Sequence, residues 1–299
     1  MGEYQCSRAL AAAGQEPGCH RRAWGRDPQN PRRSHGDPRR TGVGRDTRLR
    51  SPPAAVRRRR ACIRVDNQFG ESPQAPDTQA IPPGEDPERD LKDFSSYVFI
   101  NAQDTWAETF QRAGESYDRA QIVFYRQGVS TACGAASSSV GPFYCPGDQR
   151  VYIDLSFYND MAQQLGASGE FAWAYVIAHE VGHHVQNELG TSDEVRRLQS
   201  EDPGDRNELS VRLELQADCY AGVWANTVYE AGDLEQGDIE DAIAASEAVG
   251  DDRLQRRATG TVDPDSFTHG SSEQRARWFN TGRERGEPGD CDTFSTENP

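Results

Sequence analysis

The pentapeptide His179-Glu180-Val181-Gly182-His183 constrains this chain more than any other stretch, because its two imidazoles can act together only on a helix. At 3.6 residues per turn, positions four apart sit about 40° around the axis and about 6 Å along it. Both rings then face one way. An imidazole nitrogen binds zinc at roughly 2.0 to 2.1 Å, so two neighbouring rings can close on one ion while leaving coordination positions open. Glu180 points slightly aside, which makes it available to a water at the metal as general base rather than as a ligand. The apolar run from Phe171 to Ala178 is dense enough to bury this helix. Buried polar groups without partners are costly, and one metal ion would satisfy several of them at once.

The helix is expected to end between Asn187 and Gly190. A metzincin would need Gly at position 186 and His at 189, where this chain has Gln186 and Leu189, so that class is excluded. The third ligand must come from elsewhere. Residues 211–224 carry apolar side chains at 213, 217, 220 and 224, the spacing of a second packed helix. Glu214 and Asp218 are four apart on that helix and share a face. This is the Glu-x-x-x-Asp arrangement of gluzincins, with Glu214 as ligand and Asp218 as acceptor for a histidine N–H. The competing reading is two solvent-facing acids on a charged helix.

With residues 133–145, 151–155, 178–184, 213–224 and 268–275, the chain resembles a known family, the bacterial "putative neutral zinc metallopeptidases". The resemblance spans roughly residues 88–295 and rests on several long motifs in one order. It implies a zinc-dependent peptidase fold with one zinc ion per chain, His179, His183 and Glu214 as ligands and Glu180 as the catalytic residue. It implies no particular substrate. Members of the family often begin with a short basic region and one membrane-spanning helix.

Composition divides the chain. Of its 33 basic and 48 acidic residues, residues 1–64 hold 16 Arg, no Lys and 5 acids, a net of +11, so residues 65–299 carry −26. The N-terminal stretch, rich in Arg, Pro and Gly, is expected to be disordered. It is a weak candidate for a nucleic-acid arm, having few aromatics and no base-reading fold beside it. An Arg-Pro-Gly-Ala mixture is also what a GC-rich gene yields when read in a wrong frame or from a false start. On that reading the true N-terminus, with its membrane anchor, has been replaced here. Residues 65–87 read as a linker. The acidic remainder has Lys92 as its only lysine, repels nucleic acid and suits saline surroundings.

Residues 88–299 are long enough for one core. A long amphipathic helix is predicted over 91–112, strands over 120–125 and 149–155, and further helices over 193–200, 207–229, 234–257 and 271–280. The fold class is therefore α+β, a mainly helical zincin-like domain with a small β-sheet. Val151 to Asp154 is either an internal strand or an edge on which a peptide substrate is laid as an added strand.

Cys6, Cys19 and Cys62 fall in the N-terminal stretch, leaving Cys133, Cys145, Cys219 and Cys291 in the domain. Cys133 and Cys145 enclose a loop suited to a local disulfide, and Cys219 with Cys291 would then tie the C-terminal tail to the second ligand helix. Three pairings are formally open. Disulfides imply an extracytoplasmic domain, membrane-anchored or secreted, although no signal or spanning segment is present in the sequence. His184, about 100° from His183 on the helix, is read as a packed or exposed non-ligand. His269 precedes a helix capped by Ser271 or Ser272, and either stabilises an oxyanion or orients the loop. Arg275 is a weaker oxyanion candidate.

Two functions follow. One is a zinc-dependent peptidase acting on a peptide or protein. The other is a catalytically silent module that keeps zinc for structure and binds peptides or envelope proteins. Intact Glu180 favours the first.

Overall fold

The computed structural model describes residues 86–137 and 140–299. The expectations for residues 1–64, and for most of the linker at 65–87, lie outside the described residues. Eight α-helices carry the fold among these residues: α1 (Arg89–Ala113), α2 (Ser156–Asp160), α3 (Glu170–Glu188), α4 (Thr191–Glu201), α5 (Arg206–Ala231), α6 (Asp238–Ala248), α7 (Asp251–Thr259) and α8 (Ser272–Arg285). Strands β1 (Gln121–Tyr125), β2 (Gly128–Thr131), β3 (Gly134–Ser137), β4 (Phe143–Cys145) and β5 (Arg150–Asp154) lie between α1 and α2. This is a mainly helical α+β domain.

Helix α3 runs through the core. Every residue from Phe171 to Gly182 is buried, which follows from an apolar run that leaves no polar stripe for solvent until His183. Helices α1, α5 and α6 pack around it. Trp173 illustrates how these contacts are fixed: its ring is fully buried and its indole N–H donates to Ser95 Oγ on α1 at 2.8 Å. A buried indole needs such a partner.

Helices α5 and α8 cross at backbone contact. A Cβ on Gly222 would overlap the Phe279 carbonyl oxygen, and one on Gly282 would overlap that of Cys219. Only glycine at both positions permits this approach, and the approach carries Arg275 of α8 onto Asp218 of α5.

The three-stranded sheet has the order β1-β5-β4, with β1 parallel and β4 antiparallel to β5. A separate antiparallel pair is formed by β2 and β3. Strand β5 is thus internal, with both edges hydrogen-bonded, which settles the alternative for Val151 to Asp154 against an edge. Of the two outer strands, β4 is three residues long and too short to stand out by alternation in the sequence. The helix predicted over 234–257 is two, because Gly250 interrupts it: a Cβ there would collide with the Ser272 backbone. Disulfides join Cys133 to Cys145 and Cys219 to Cys291. No helix among the described residues is long and apolar enough to cross a membrane.

Candidate metal centre

Helix α3 presents His179 and His183 on one face, with ring centroids 4.7 Å apart and nearly perpendicular planes. Helix α5 brings Glu214 opposite them. Its Oε2 lies 3.2 Å from His179 Nε2 and its Oε1 3.4 Å from His183 Nε2. The two helices can come this close because Gly182 sits against Ala217, where a Cβ would reach the Ala217 carbonyl oxygen at 3.0 Å. One ligand atom from each of His179, His183 and Glu214 falls within 4.8 Å of the others, an arrangement that could hold a metal ion.

Asp218 lies one turn beyond Glu214 and is completely buried. His179 Nδ1–H donates to its Oδ1 at 2.8 Å, so the neutral ring keeps its lone pair on Nε2, the atom facing Glu214. The other partners of Asp218 are the Tyr175 hydroxyl, at 2.5 Å from Oδ1, and Arg275, whose guanidinium reaches both carboxylate oxygens at 2.9 Å. Arg275 also reaches the Tyr175 hydroxyl at 3.2 Å. A guanidinium so committed serves the carboxylate, so the structure shows Arg275, read from the sequence only as a weak oxyanion candidate, as the partner of Asp218. Burial pushes the Asp218 carboxyl up, but Arg275 and then His179 outweigh it, leaving the carboxyl below its usual range.

Glu180 follows His179 and is buried at the floor of the cleft. Burial raises its carboxyl above the ordinary value, against the opposing pull of His183 and His179. A carboxylate whose proton affinity is raised takes up a proton more readily, as a general base must.

His184 is not brought to the metal centre. Its Nε2–H donates to the Asp118 carbonyl at 2.6 Å and its Nδ1 accepts from the Tyr144 hydroxyl at 3.0 Å, so it fastens β4 and the segment before β1 to α3. Burial lowers its pKa, keeping the ring neutral as this pattern requires.

His269 also lines the cleft and is half exposed. Asp251 at the start of α7 holds it. Asp251 Oδ2 accepts the backbone N–H groups of Thr268, His269 and Gly270, at 2.7, 2.6 and 3.2 Å, while Oδ1 lies 3.2 Å from His269 Nδ1. The helix that follows is capped by Ser271, which accepts the Gln274 N–H while Gln274 answers with its side chain. Of the two predicted caps, Ser271 is therefore the one used.

His179, Glu180, His183, Glu214, His269 and Arg275 line one cleft of about 710 Å³. Pro142, Phe143 and Tyr144 form its sheet wall, and Phe157, Leu165, Val176, Val249 and Leu254 contribute apolar surface.

The donor set fits zinc: two imidazole nitrogens with their lone pairs directed inward and one carboxylate oxygen, with the remaining positions open to the cleft. In the metal-free protein a proton takes part of that role. Burial alone would lower the His179 pKa, but the charge of Asp218, then hydrogen bonds to Asp218 and Glu214, raise it to about 10. A raised folded-state pKa contributes stability that is fully present below the unfolded value of about 6.5 and is lost as pH rises through the folded value. The stability of the metal-free protein against heat is therefore expected to fall between about pH 6.5 and 10, and zinc, by displacing the proton, would remove that dependence. Equal pH dependence with and without zinc would refute this.

A buried helix with His179, Glu180 and His183 packed against a helix with Glu214 and Asp218, beside an open cleft, has the residue arrangement of a gluzincin-like centre that could hold a metal ion. The chain belongs to the family described as "putative neutral zinc metallopeptidase", whose model matches residues 62–294. It is 51% identical over 222 residues to the uncharacterized protein YpfJ of Escherichia coli K12, covering 74% of this chain and 76% of that one. To the uncharacterized protein Rv2575 of Mycobacterium tuberculosis H37Rv it is 48% identical over 190 residues, 60% of this chain and 64% of the relative. No solved structure matches the chain.

Tyr175, Asp251 and the true role of Arg275 escaped the sequence reading. Tyr175 is four residues before His179, so helical spacing could have placed it beside that ring. Arg275 meets Asp218 only through the α5–α8 crossing, and Asp251 is 18 residues from His269 along the chain, so no local pattern announces either contact.

Proposed function

We propose that this protein is a zinc-dependent peptidase, with His179, His183 and Glu214 holding the ion and Glu180 acting as general base. The observation that supports it most is the pairing of this ligand set with a buried carboxylate of raised pKa on the floor of one open cleft. When bound, zinc supplies Lewis-acid chemistry that makes water more acidic and polarises the scissile carbonyl. Glu180 takes the proton of the attacking water and delivers it to the leaving amine. Asp218 holds the His179 ring in the tautomer that leaves Nε2 free. His269, braced by Asp251, donates to the carbonyl oxygen as it becomes negative.

The substrate lies against β4, whose outer edge has no strand paired to it among the described residues, and adds to it as an extended strand. Side chains beside the scissile bond then meet Phe157, Leu165, Val176, Val249 and Leu254. Bulky apolar residues are the class this surface accepts. Two disulfides support an oxidising, extracytoplasmic compartment.

Cleavage of a peptide library by the zinc-loaded chain tests the reading. Cuts enriched for bulky apolar residues next to the scissile bond, and lost on chelation, are expected. Stoichiometric zinc with no cleavage anywhere in the library would instead select the silent binding module.

A further inference from the structure

Two buried glutamines link His183 to a disulfide. Gln186 is completely buried on α3, one turn beyond His183, and Gln216 is buried on α5. His183 Nδ1 lies 2.9 Å from Gln186 Oε1. Gln186 Nε2 donates to the Leu213 carbonyl at 2.7 Å and to Gln216 Oε1 at 3.2 Å. Gln216 Nε2 donates in turn to the Cys291 carbonyl at 3.1 Å, and Cys291 is bonded to Cys219 on α5.

The relay has a direction. A backbone carbonyl can only accept, so Cys291 fixes the Gln216 amide with its nitrogen outward and its oxygen toward Gln186. Leu213 fixes Gln186 in the same sense. The Gln186 oxygen must then face His183 Nδ1, which has to carry the proton. The ring's lone pair is left on Nε2, the atom 3.4 Å from Glu214 Oε1. Reversing any amide would set two donors or two acceptors against each other in a buried site, at a cost of about 1 to 3 kcal/mol for each group left unsatisfied.

We propose that Gln186 and Gln216 are positioning residues that set the tautomer and ring angle of His183 for metal binding, and that the Cys219–Cys291 disulfide anchors the far end of their relay. This rests on His183 being a ligand, as in the function proposed above. It requires no peptidase activity for its test.

The full chain, labelled with nitrogen-15 histidine and loaded with cadmium-113, reports both nitrogens directly. Metal coupling is expected at His183 Nε2, with the Nδ1 proton protected from exchange. Gln186→Met removes the acceptor while keeping the side-chain length, and should lower zinc affinity about 10- to 100-fold in competition with a chromophoric chelator while exposing the Nδ1 proton. Gln216→Met should cost less than Gln186→Met, because Leu213 still holds Gln186. Replacing both Cys219 and Cys291 by alanine should cost about as much as Gln216→Met.

Wild-type affinity and a protected Nδ1 proton in Gln186→Met would overturn the relay, and wild-type affinity in the double cysteine variant would overturn the anchor. Should Gln186→Met not fold, coupling at Nδ1 in the unmutated protein refutes the tautomer assignment. Coupling to no histidine at all is a different failure, that of the ligand set itself.

Discussion

Glu180→Gln is expected to lower peptide hydrolysis by about 10²- to 10⁴-fold, the range set by losing a positioned general base. Zinc content is expected to stay at one per chain, because the proposed ligand set is His179, His183 and Glu214 and does not include Glu180. The fold should not suffer either. The Glu180 carboxyl is raised by burial, so its ionised form opposes folding at neutral pH in the zinc-free protein, and a neutral amide of the same size removes that opposition. Zinc-free Glu180→Gln should therefore unfold at a temperature equal to or above that of the zinc-free parent at pH 7, and the difference should shrink as pH falls and the parent's carboxyl becomes protonated. Zinc analysis, hydrolysis rates and melting curves on the two proteins decide the matter together. Activity within tenfold of the parent would remove Glu180 from the mechanism. Loss of zinc along with activity would make it a structural residue of the centre.

The parts of this molecule legible in the sequence are those governed by local periodicity. Helix α3 announced itself through an unbroken apolar run ahead of two histidines, and α5 through a helical repeat that carried Glu214 and Asp218 on one face. Cys133 met Cys145 across the loop that suited a local disulfide, and Cys219 met Cys291 as the remaining pair, one of three pairings the sequence left open. Short elements escaped. Strands β2, β3 and β4 are three or four residues long, with small or half-buried side chains that give no clear alternation. The break at Gly250 was hidden because acids and alanines on both sides favour helix, and only the neighbouring Ser272 backbone requires a glycine there. At the metal centre the ligand spacing was visible, whereas the groups holding the ligands were not. Gln186 was seen only as the residue that breaks the metzincin pattern, although it lies within one helical turn of His183 and accepts its N–H.

Arg275→Met is expected to destabilise the fold by about 3 to 5 kcal/mol, the cost of removing one partner from a buried ion pair. Against a typical domain stability of 5 to 15 kcal/mol, this is a large fraction of the total. Asp218 is completely buried and Arg275 nearly so, with two guanidinium nitrogens on the carboxylate at 2.9 Å. Methionine fills much of the volume but leaves the charge of Asp218 to Tyr175 and His179 alone. The sign of the pH dependence follows from the lowered Asp218 pKa in the parent. A lowered carboxyl contributes stability that is present above the unfolded value of about 3.9 and is lost as pH falls through the folded value. In the variant the carboxyl is held up by burial, so the gap between the two proteins is widest near neutrality and narrows under acid as a proton takes the place of the guanidinium. Adding Asp218→Asn to Arg275→Met removes the stranded charge, while an amide oxygen remains for the His179 N–H. The double variant should therefore be more stable than Arg275→Met alone, a coupling that denaturant unfolding of the four proteins in the cycle measures. Additive losses, or a loss below about 1 kcal/mol for Arg275→Met, would mean that solvent reaches this pair and that the α5–α8 crossing does not seal the centre as the structure shows.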